Sequence, residues 1–445
     1  MKNLLLFACA GLAFAASAAV NPSVKHIQRT MKVLEESTAA KPATVRILFY
    51  GQSIVQQPWN LQYLVPELKK RYPTVKFESQ NRAIGGYTSP RLRRTAESDL
   101  YPFYPDLLFF HVYGPLDKYE EIVKKARATT TAEIILWSSH LSKGQDPRKM
   151  LAERDDRTKG IAEIAARYNT MYVDLNKKWC EMLIDNNWAV TNMLADGIHM
   201  NGTSPALAKY AQFLYEDMVR LPGAKAEPEV SGLIEEIPLS DKRVKKRANG
   251  ALELAFEGNR VVAVSDGKGR AGKGAKLLLD GRAPATYPEL WYTTKPGTGP
   301  MWMPFVDHVD IDAPAVAEKW TLTFLEGTTP DANPIHYKVE GSVTGPDGEG
   351  WTTNRFRSAS GRAVLDPKDI NCVWQYQYSK KQAKPGFQVK WETAPLFADP
   401  YVPQPADART TLVQNCANGR HVLTLDPGKG GKPGIRGFIV YRPAK

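Results

Sequence analysis

The sequence of 445 residues is short of cysteine and of long apolar runs. With only four cysteines, a disulfide framework cannot be what holds a chain of this length together. After the first twenty residues, no stretch approaches the ~20 consecutive apolar residues that cross a bilayer as a helix. We therefore predict a well-packed globular protein of two or three domains without membrane insertion.

The N-terminus has the pattern of a secretory signal peptide. One lysine is followed by a short apolar run and by Ala16-Ser17-Ala18, which predicts cleavage near residue 18 or 19 and export to the periplasm or beyond. Cys9 would leave with this segment, and Cys180 is expected in the core. In an oxidising compartment Cys372 and Cys416 could form a disulfide, with unpaired buried thiols as the alternative.

Acidic residues are outnumbered, so the formal net charge is +12. No nucleic-acid-binding motif accompanies this charge, and for an exported protein an acidic polysaccharide is the partner we favour. The alternative is that the basic surface serves solubility alone. The sequence makes no prediction of oligomeric state.

The two halves of the chain differ in their patterns. Strand-like apolar runs alternate with helix-like segments up to about residue 222, which predicts βαβ units and a parallel sheet. From Ala251 helix signals nearly vanish, and many short strands between Gly, Pro, Asp and Asn predict an all-β, sandwich-like region. We predict a signal peptide at 1–19, an α/β domain at 20–222, a linker at 223–250 and the β region at 251–445.

Two apparent motifs are weak indicators of function. Gly267, Gly269 and Gly272 fit G-x-G-x-x-G, but a strand-like run follows them where a dinucleotide site needs a helix, so we interpret them as a flexible basic loop. His308 stands beside Asp307 and could belong to a metal site, although a solvated strand end explains it equally simply.

The stretch Ile47–Trp59, "ILFYGQSIVQQPW", places a serine just after a buried strand. Such a position presents a nucleophile, and it is also common in ordinary strand-to-helix turns. A serine nucleophile needs a histidine base oriented by a carboxylate. Among the seven histidines, His199 has Asp196 three residues before it, just ahead of an amphipathic helix. This spacing allows the carboxylate to hold the imidazole in the tautomer that accepts the proton of Ser53.

Three blocks, "GQS", "NRAIGGYTS" and "DGIHMNGTSPALA", resemble in order and spacing those of the SGNH, or GDSL, hydrolases. The resemblance covers about residues 46–221 and implies a flavodoxin-like α/β/α fold with esterase activity. It implies Ser53 as nucleophile, His199 and Asp196 as the other triad members, and the backbone N–H groups of Gly86 and Ser53 as the oxyanion hole. It implies no metal or organic cofactor.

The sequence departs from the family pattern at two positions. Gln52 stands where the family has aspartate, which removes a negative charge beside the nucleophile. Leu116 stands where the family has an asparagine that donates to the oxyanion. Losing one such donor typically costs ~10²–10³ in rate, so a substitute is expected from Tyr113, His111 or Asn81.

For the substrate, we expect an O-acetyl or similar small ester on a polysaccharide. Trp59 and Tyr87 are candidates to stack on sugar rings, although either could equally be a core residue. Gln52, His111 and Tyr113 are further candidate substrate contacts. The alternative is a glycan-binding protein whose esterase site is degenerate. The basic residues expected near the oxyanion block are Arg82, Arg91, Arg93 and Arg94.

Overall fold

The computed structural model describes residues 20–225, 228–268, 274–325, 334–429 and 431–444. The predicted signal peptide, together with Gly269 and Gly272, lies outside these ranges. Within them, no helix has the length and apolar content needed to cross a membrane.

A five-stranded parallel sheet forms the centre of the first half. Its spatial order is 2-1-3-4-5, the order of flavodoxin-like folds, in which ligands bind beyond the carboxyl ends of the strands. The strands are β1 (Thr44–Gly51), β2 (Lys76–Asn81), β3 (Leu107–His111), β4 (Glu133–Trp137) and β5 (Met171–Val173).

Helices cover both faces of this sheet, which explains why its central strands contain continuous apolar runs. On β1, Ile47 and Phe49 belong to one buried cluster, whereas Leu48 and Tyr50 belong to the cluster on the opposite face. The α/β, flavodoxin-like prediction is therefore confirmed. The helices are α1 (Gln28–Glu36), α2 (Ser53–Gln56), α3 (Val65–Arg71), α4 (Ser89–Asp99), α5 (Leu116–Thr129), α6 (Pro147–Ala152), α7 (Asp156–Arg167), α8 (Leu175–Asp185) and α9 (Ala206–Tyr215).

Three short helical segments of other types complete this half. Two are 3₁₀ helices, one before α1 and one between α8 and α9, and the third is a single π-helical stretch between α2 and α3. They are the 3₁₀ segments Pro22–Ile27 and Val190–Met193 and the π segment Asn60–Leu64.

The second half consists mainly of antiparallel strands, which confirms the all-β prediction. A short helix, α10 (Pro228–Ser231), precedes them. The strands are β6 (Leu233–Pro238), β7 (Val244–Lys246), β8 (Leu252–Ser265), β9 (Lys276–Leu279), β10 (Trp291–Thr293), β11 (Glu318–Phe324), β12 (His336–Gly341), β13 (Gly345–Trp351), β14 (Phe356–Arg357), β15 (Val364–Leu365), β16 (Gln388–Pro395), β17 (Arg409–Asp426) and β18 (Ile435–Arg442).

These strands form two larger sheets with separate buried clusters. One sheet has the order β6-β18-β8-β17-β9, with β7 paired to β8, and the other has the order β10-β16-β11-β12-β13. Strands β14 and β15 pair with each other. Short 3₁₀ segments lie at Pro284–Thr286, Pro288–Leu290 and Pro367–Asp369.

Two local features differ from the sequence interpretation. The segment predicted as a linker contains β6 and β7, because its apolar residues Ile234 and Ile237 pack with the sheet as β6 pairs with β18. The β region also contains one helix, α11 (Cys372–Ser379), whose aromatic-rich sequence gave no helix signal. The division into domains itself stays a prediction.

The cysteines do not form the disulfide that was considered. Cys372 is packed in the cluster of the β10–β13 sheet, whereas Cys416 on β17 belongs to the cluster of the other sheet. No disulfide is present in the described part of the chain, and Cys180 is a core residue as expected.

Candidate active site

Crowding at the end of β1 determines which residue can occupy its last position, two residues before the serine. A side chain at Gly51 would collide with the carbonyl oxygen of His111 on the adjacent strand and with Val55. Only glycine therefore lets β1 turn at once into α2. The carbonyl of Gln52 accepts from the N–H groups of Val55 and Gln56, both at 2.9 Å, and Ser53 is the half-buried first residue of the helix.

The structure brings together the three residues expected to form a triad. Ser53 Oγ lies 2.8 Å from His199 Nε2, and His199 Nδ1 lies 2.7 Å from Asp196 Oδ2. The imidazole therefore bridges a hydroxyl and a carboxylate, with one ring nitrogen facing each. This geometry suits transfer of the serine proton to Nε2 while the carboxylate stabilises the imidazolium.

The carboxylate of Asp196 is held by its own turn. Its Oδ1 accepts from the backbone N–H groups of His199 at 2.9 Å and of Ile198 at 3.0 Å. Hydrogen bonding holds the pKa of Asp196 well below its usual range. The largest effect comes from the His199 amide, followed by the His199 ring and the Ile198 amide. Asp196 is consequently ionised wherever the protein is folded near neutral pH.

His140, which follows β4 in the chain, holds the turn that contains Asp196 and His199. His140 Nε2 donates to the carbonyl oxygen of Ile198 at 2.6 Å, and the buried Nδ1 has no hydrogen-bond partner in the described part of the chain. Burial lowers the pKa of His140 to about 4, so the ring is neutral and carries its proton on Nε2.

The loop after β2 presents the expected oxyanion glycine. Gly86 is exposed and has φ +82°, a left-handed conformation that favours glycine. The N–H groups of Gly86 and Ser53 make no hydrogen bond to any described residue, so both are available as donors.

The residues proposed as a third oxyanion donor are mostly occupied elsewhere. Asn81 donates to the carbonyl of Val55 at 2.8 Å and accepts from the amide of Ala83 at 3.0 Å, which removes it as a candidate. His111 is fully buried, and Tyr113 is half-buried with its ring edge-on to that histidine. Leu116, at the start of α5, fills the space beside Gly160.

Gln52 and His111 form a buried pair beneath the nucleophile. His111 Nδ1 lies 3.4 Å from Gln52 Oε1, and its Nε2 lies 3.0 Å from Ser139 Oγ. Burial, reinforced by Arg157, lowers the pKa of His111 well below its usual value, so the ring is neutral. Neither side chain is open to a substrate, and the expectation that they contact it directly is corrected. Tyr113 keeps partial exposure.

Trp59 and Tyr87 also prove to be structural residues. Trp59 is completely buried, packs edge-on against Phe49 and Trp137, and donates to the carbonyl of Ile54 at 2.6 Å. Tyr87 is 1% exposed. Because neither ring has an accessible face, stacking of a sugar on them is ruled out.

Tyr87 instead joins the oxyanion loop to the β region. Its hydroxyl donates to Asp307 at 2.5 Å, and Asn371 donates to the same carboxylate oxygen at 2.6 Å. Arg91 lies 3.3 Å from the other oxygen. We call these four residues the Asp307 cluster. It is buried apart from Arg91 and lies one residue from Gly86.

Asp307 also adjoins the histidine that the sequence offered as a candidate for a metal site. Its neighbour His308 lies 3.2 Å from Ser98 Oγ and 3.4 Å from Asp310. No group of three or more metal-ligating side chains occurs among the described residues.

The arginines of the oxyanion block are bound to the protein's own acceptors. Arg94, for example, makes a bidentate ion pair with Asp369 and reaches Asp310 at 2.9 Å. Each of the four arginines therefore has an acidic partner within the protein. The remaining pairs are Arg82 with Asp99, Arg91 with Asp307 and Arg93 with Glu121.

Comparisons with known proteins complete this description. No protein-family model and no curated protein matches the chain. Among solved structures, a two-domain esterase active on acetylated mannans matches with 14% identity and a TM-score of 0.37, covering 94% of this chain and 95% of that one.

Two further structures match a smaller part of the chain. A GDSL-like lipase from Parabacteroides merdae is 18% identical, with a TM-score of 0.33, over 40% of this chain and 96% of that one. An acetylxylan esterase from Geobacillus stearothermophilus is 19% identical, with a TM-score of 0.35, over 40% and 98%. At these scores the likenesses do not bear on function, which is argued below from the site itself.

Proposed function

We propose that the protein is an exported serine esterase with an SGNH-hydrolase-like catalytic domain, acting on small acyl esters of a polysaccharide. The observation that carries this proposal is the continuous hydrogen-bonded chain from Ser53 through His199 to Asp196 at the carboxyl edge of the parallel sheet. The proposal includes export through the N-terminal signal and a catalytic domain ending near residue 222.

The reaction follows from the positions of the three side chains. Ser53 Oγ attacks the ester carbonyl while His199 Nε2 takes its proton, and the N–H groups of Ser53 and Gly86 stabilise the oxyanion. Nε2 then protonates the departing sugar alcohol, leaving an acyl group on Ser53. Water attacks this acyl-enzyme with the same histidine as base, which releases the acid and restores the serine.

The substrate is proposed to be a short acyl group, with O-acetyl as the simplest case. The arginines near the site are paired with acidic residues of the protein, so we propose neutral as well as acidic polysaccharides as candidates.

The test compares Ser53→Ala with Ser204→Ala on 4-nitrophenyl acetate. Ser204 lies five residues after His199, and its hydroxyl donates to the carbonyl of Asn201 at 2.9 Å without contacting the triad. We expect Ser53→Ala to lose at least ~10³-fold in kcat with an unchanged melting temperature, whereas Ser204→Ala retains activity. Substantial turnover by Ser53→Ala would refute the assignment.

A second candidate function is motivated by Leu116 at the position of the family's oxyanion asparagine. With that donor absent, the chain could bind glycans without hydrolysing them. A fluorophosphonate probe separates the two functions, because only an activated serine reacts with it. Labelling of the wild-type protein that disappears in Ser53→Ala would support the esterase, and failure to label would support the binding protein.

A further inference from the structure

Two aromatic side chains of the β region are unusually exposed next to the candidate active site. Trp302 is 49% exposed and Tyr378 is 67% exposed, and their rings meet edge-to-face with centroids 5.6 Å apart. We call this pair the aromatic shelf. Large aromatic side chains left together in solvent are a mark of binding surfaces.

The shelf begins directly at the oxyanion loop. Trp302 Nε1 donates to the carbonyl oxygen of Gly85 at 3.0 Å, and Gly85 precedes the oxyanion glycine. The side chain of Gln56, one turn after Ser53 on α2, approaches the same face of Gly85. The indole is thus placed between the loop that would hold the reacting carbonyl and the open surface of the β region.

Buried contacts beneath the shelf hold it in position. The methyl group of Met303 lies against Gly86, and Trp374 packs on Tyr87 with ring centroids 5.8 Å apart. Gln375 on α11 donates to the carbonyl of Met303 at 3.2 Å, which ties the helix bearing Tyr378 to the segment bearing Trp302. A surface fixed in this way loses little conformational entropy when it binds a ligand.

We propose that the aromatic shelf binds a pyranose ring of the polysaccharide whose acyl group lies at Ser53. This inference rests on the proposed esterase function and assigns substrate binding to the β region. A pyranose presents an apolar face of C–H groups that stacks on an aromatic ring, while its hydroxyl groups stay in water. The perpendicular rings of Trp302 and Tyr378 offer a face and an adjoining edge to such a sugar.

The test measures binding apart from catalysis. The full chain carrying Ser53→Ala is titrated calorimetrically with unacetylated xylohexaose, mannohexaose and hexagalacturonate, alone and combined with Trp302→Ala or Tyr378→Ala. We expect at least one hexasaccharide to bind, with affinity reduced about tenfold by either shelf substitution. Trp351→Ala is the matched control, since Trp351 is another exposed aromatic residue of the β region, on β13, where it stacks on His336.

A second variant tests whether the affinity lost in Trp302→Ala reflects the missing ring or a disturbed loop structure. Trp302→Phe keeps an aromatic ring but removes the hydrogen bond to Gly85, so it should recover most of the affinity lost in Trp302→Ala. In the active enzyme, the loss of kcat/KM on an acetylated hexasaccharide should exceed the loss on 4-nitrophenyl acetate by at least about tenfold for both alanine variants.

The outcomes distinguish this inference from the proposed function. Unchanged affinity in both shelf variants, an equal loss in Trp351→Ala, or no binding of any hexasaccharide would overturn the shelf as a subsite. If binding depends on the shelf but Ser53→Ala still turns over 4-nitrophenyl acetate, the subsite stands and the serine mechanism fails.

Discussion

At the scale of single residues, the site depends on one short turn that carries two of the three triad members. Asp196 lies three residues before His199, and its second oxygen is bound by backbone amides of the same turn. Carboxylate and imidazole are therefore aligned by local structure, whereas Ser53 reaches them from a distant part of the chain. This explains why the Asp-His spacing was informative in the sequence.

Replacing Asp196 by asparagine should lower kcat by about 10²–10⁴-fold. The amide can turn its NH₂ group toward Nδ1 and so favour the wrong imidazole tautomer, while the backbone bonds of the turn are largely kept. The measurement is steady-state hydrolysis of 4-nitrophenyl acetate between pH 5 and 9. Because the pKa of Asp196 is held far below this range, the acidic limb of the wild-type profile should not report its titration.

The matched control is Asp156→Asn, a fully exposed carboxylate in the first turn of α7. It should leave the rate and its pH profile unchanged. An Asp196→Asn variant with more than a third of wild-type activity would show that the carboxylate does not orient the base.

Other residue roles could not be obtained from the sequence. Trp59 and Tyr87 stand next to the catalytic blocks in the chain, but the helices and the β region packed around them close off both rings. Proximity to a catalytic block in the sequence does not determine whether a side chain is exposed, because exposure depends on elements that are distant in the chain. Likewise, the charges of the four arginines were visible, but their acidic partners lie in distant segments.

At the scale of elements, the loop after β2 is shaped by contacts on both sides. Gly86 needs its left-handed backbone, and a Cβ there would lie 2.9 Å from the Met303 methyl carbon. The sequence block predicted a glycine with an oxyanion role at this position. It could not predict that the β region would supply the opposite wall.

Substituting Gly86 by alanine should therefore strain the backbone and disturb the packing against Met303. We expect kcat on 4-nitrophenyl acetate to fall at least tenfold, with roughly 1–3 kcal/mol of lost stability from the left-handed conformation alone. Gly281→Ala isolates the backbone part, since Gly281 has φ +79° but no neighbour within 4 Å of the added carbon. Equal activity of the two variants would show that the shape of the oxyanion loop does not matter for the reaction.

At the scale of the whole molecule, a buried polar cluster joins the two halves beside the active site. The alternation of strands and helices was enough to predict the α/β half, and the density of turns was enough to predict the β half. The Asp307 cluster could not be predicted, because its members are separated by more than two hundred residues between Tyr87 and Asp307. The sequence also gave no signal for α11, which is stabilised by packing rather than by helix propensity.

Burial raises the pKa of Asp307 to about 6, which makes its stability contribution depend on pH. Because the folded-state pKa lies above the ordinary value, the folded protein binds this proton more tightly than the unfolded chain does. The resulting stabilisation is full below pH ~4 and is lost as the pH rises through about 6, a change on the order of 3 kcal/mol.

The measurement compares the melting temperatures of wild type and Asp307→Asn at pH 4, 5, 6 and 7. The variant has no ionisable group at this position. Its melting temperature relative to that of the wild type should therefore rise by on the order of 5 °C between pH 4 and 7. A difference that stays constant, or that moves in favour of the wild type with rising pH, would contradict the raised pKa.

The openness of the triad bears on the physical state of the substrate. The side chains of His199 and Asp196 are 34% and 56% exposed, so this side of the proposed catalytic site is open to solvent. An esterase of the proposed kind would therefore need no free chain end to be threaded into its site. It could remove substituents from the middle of a long polymer, including one still embedded in an insoluble wall.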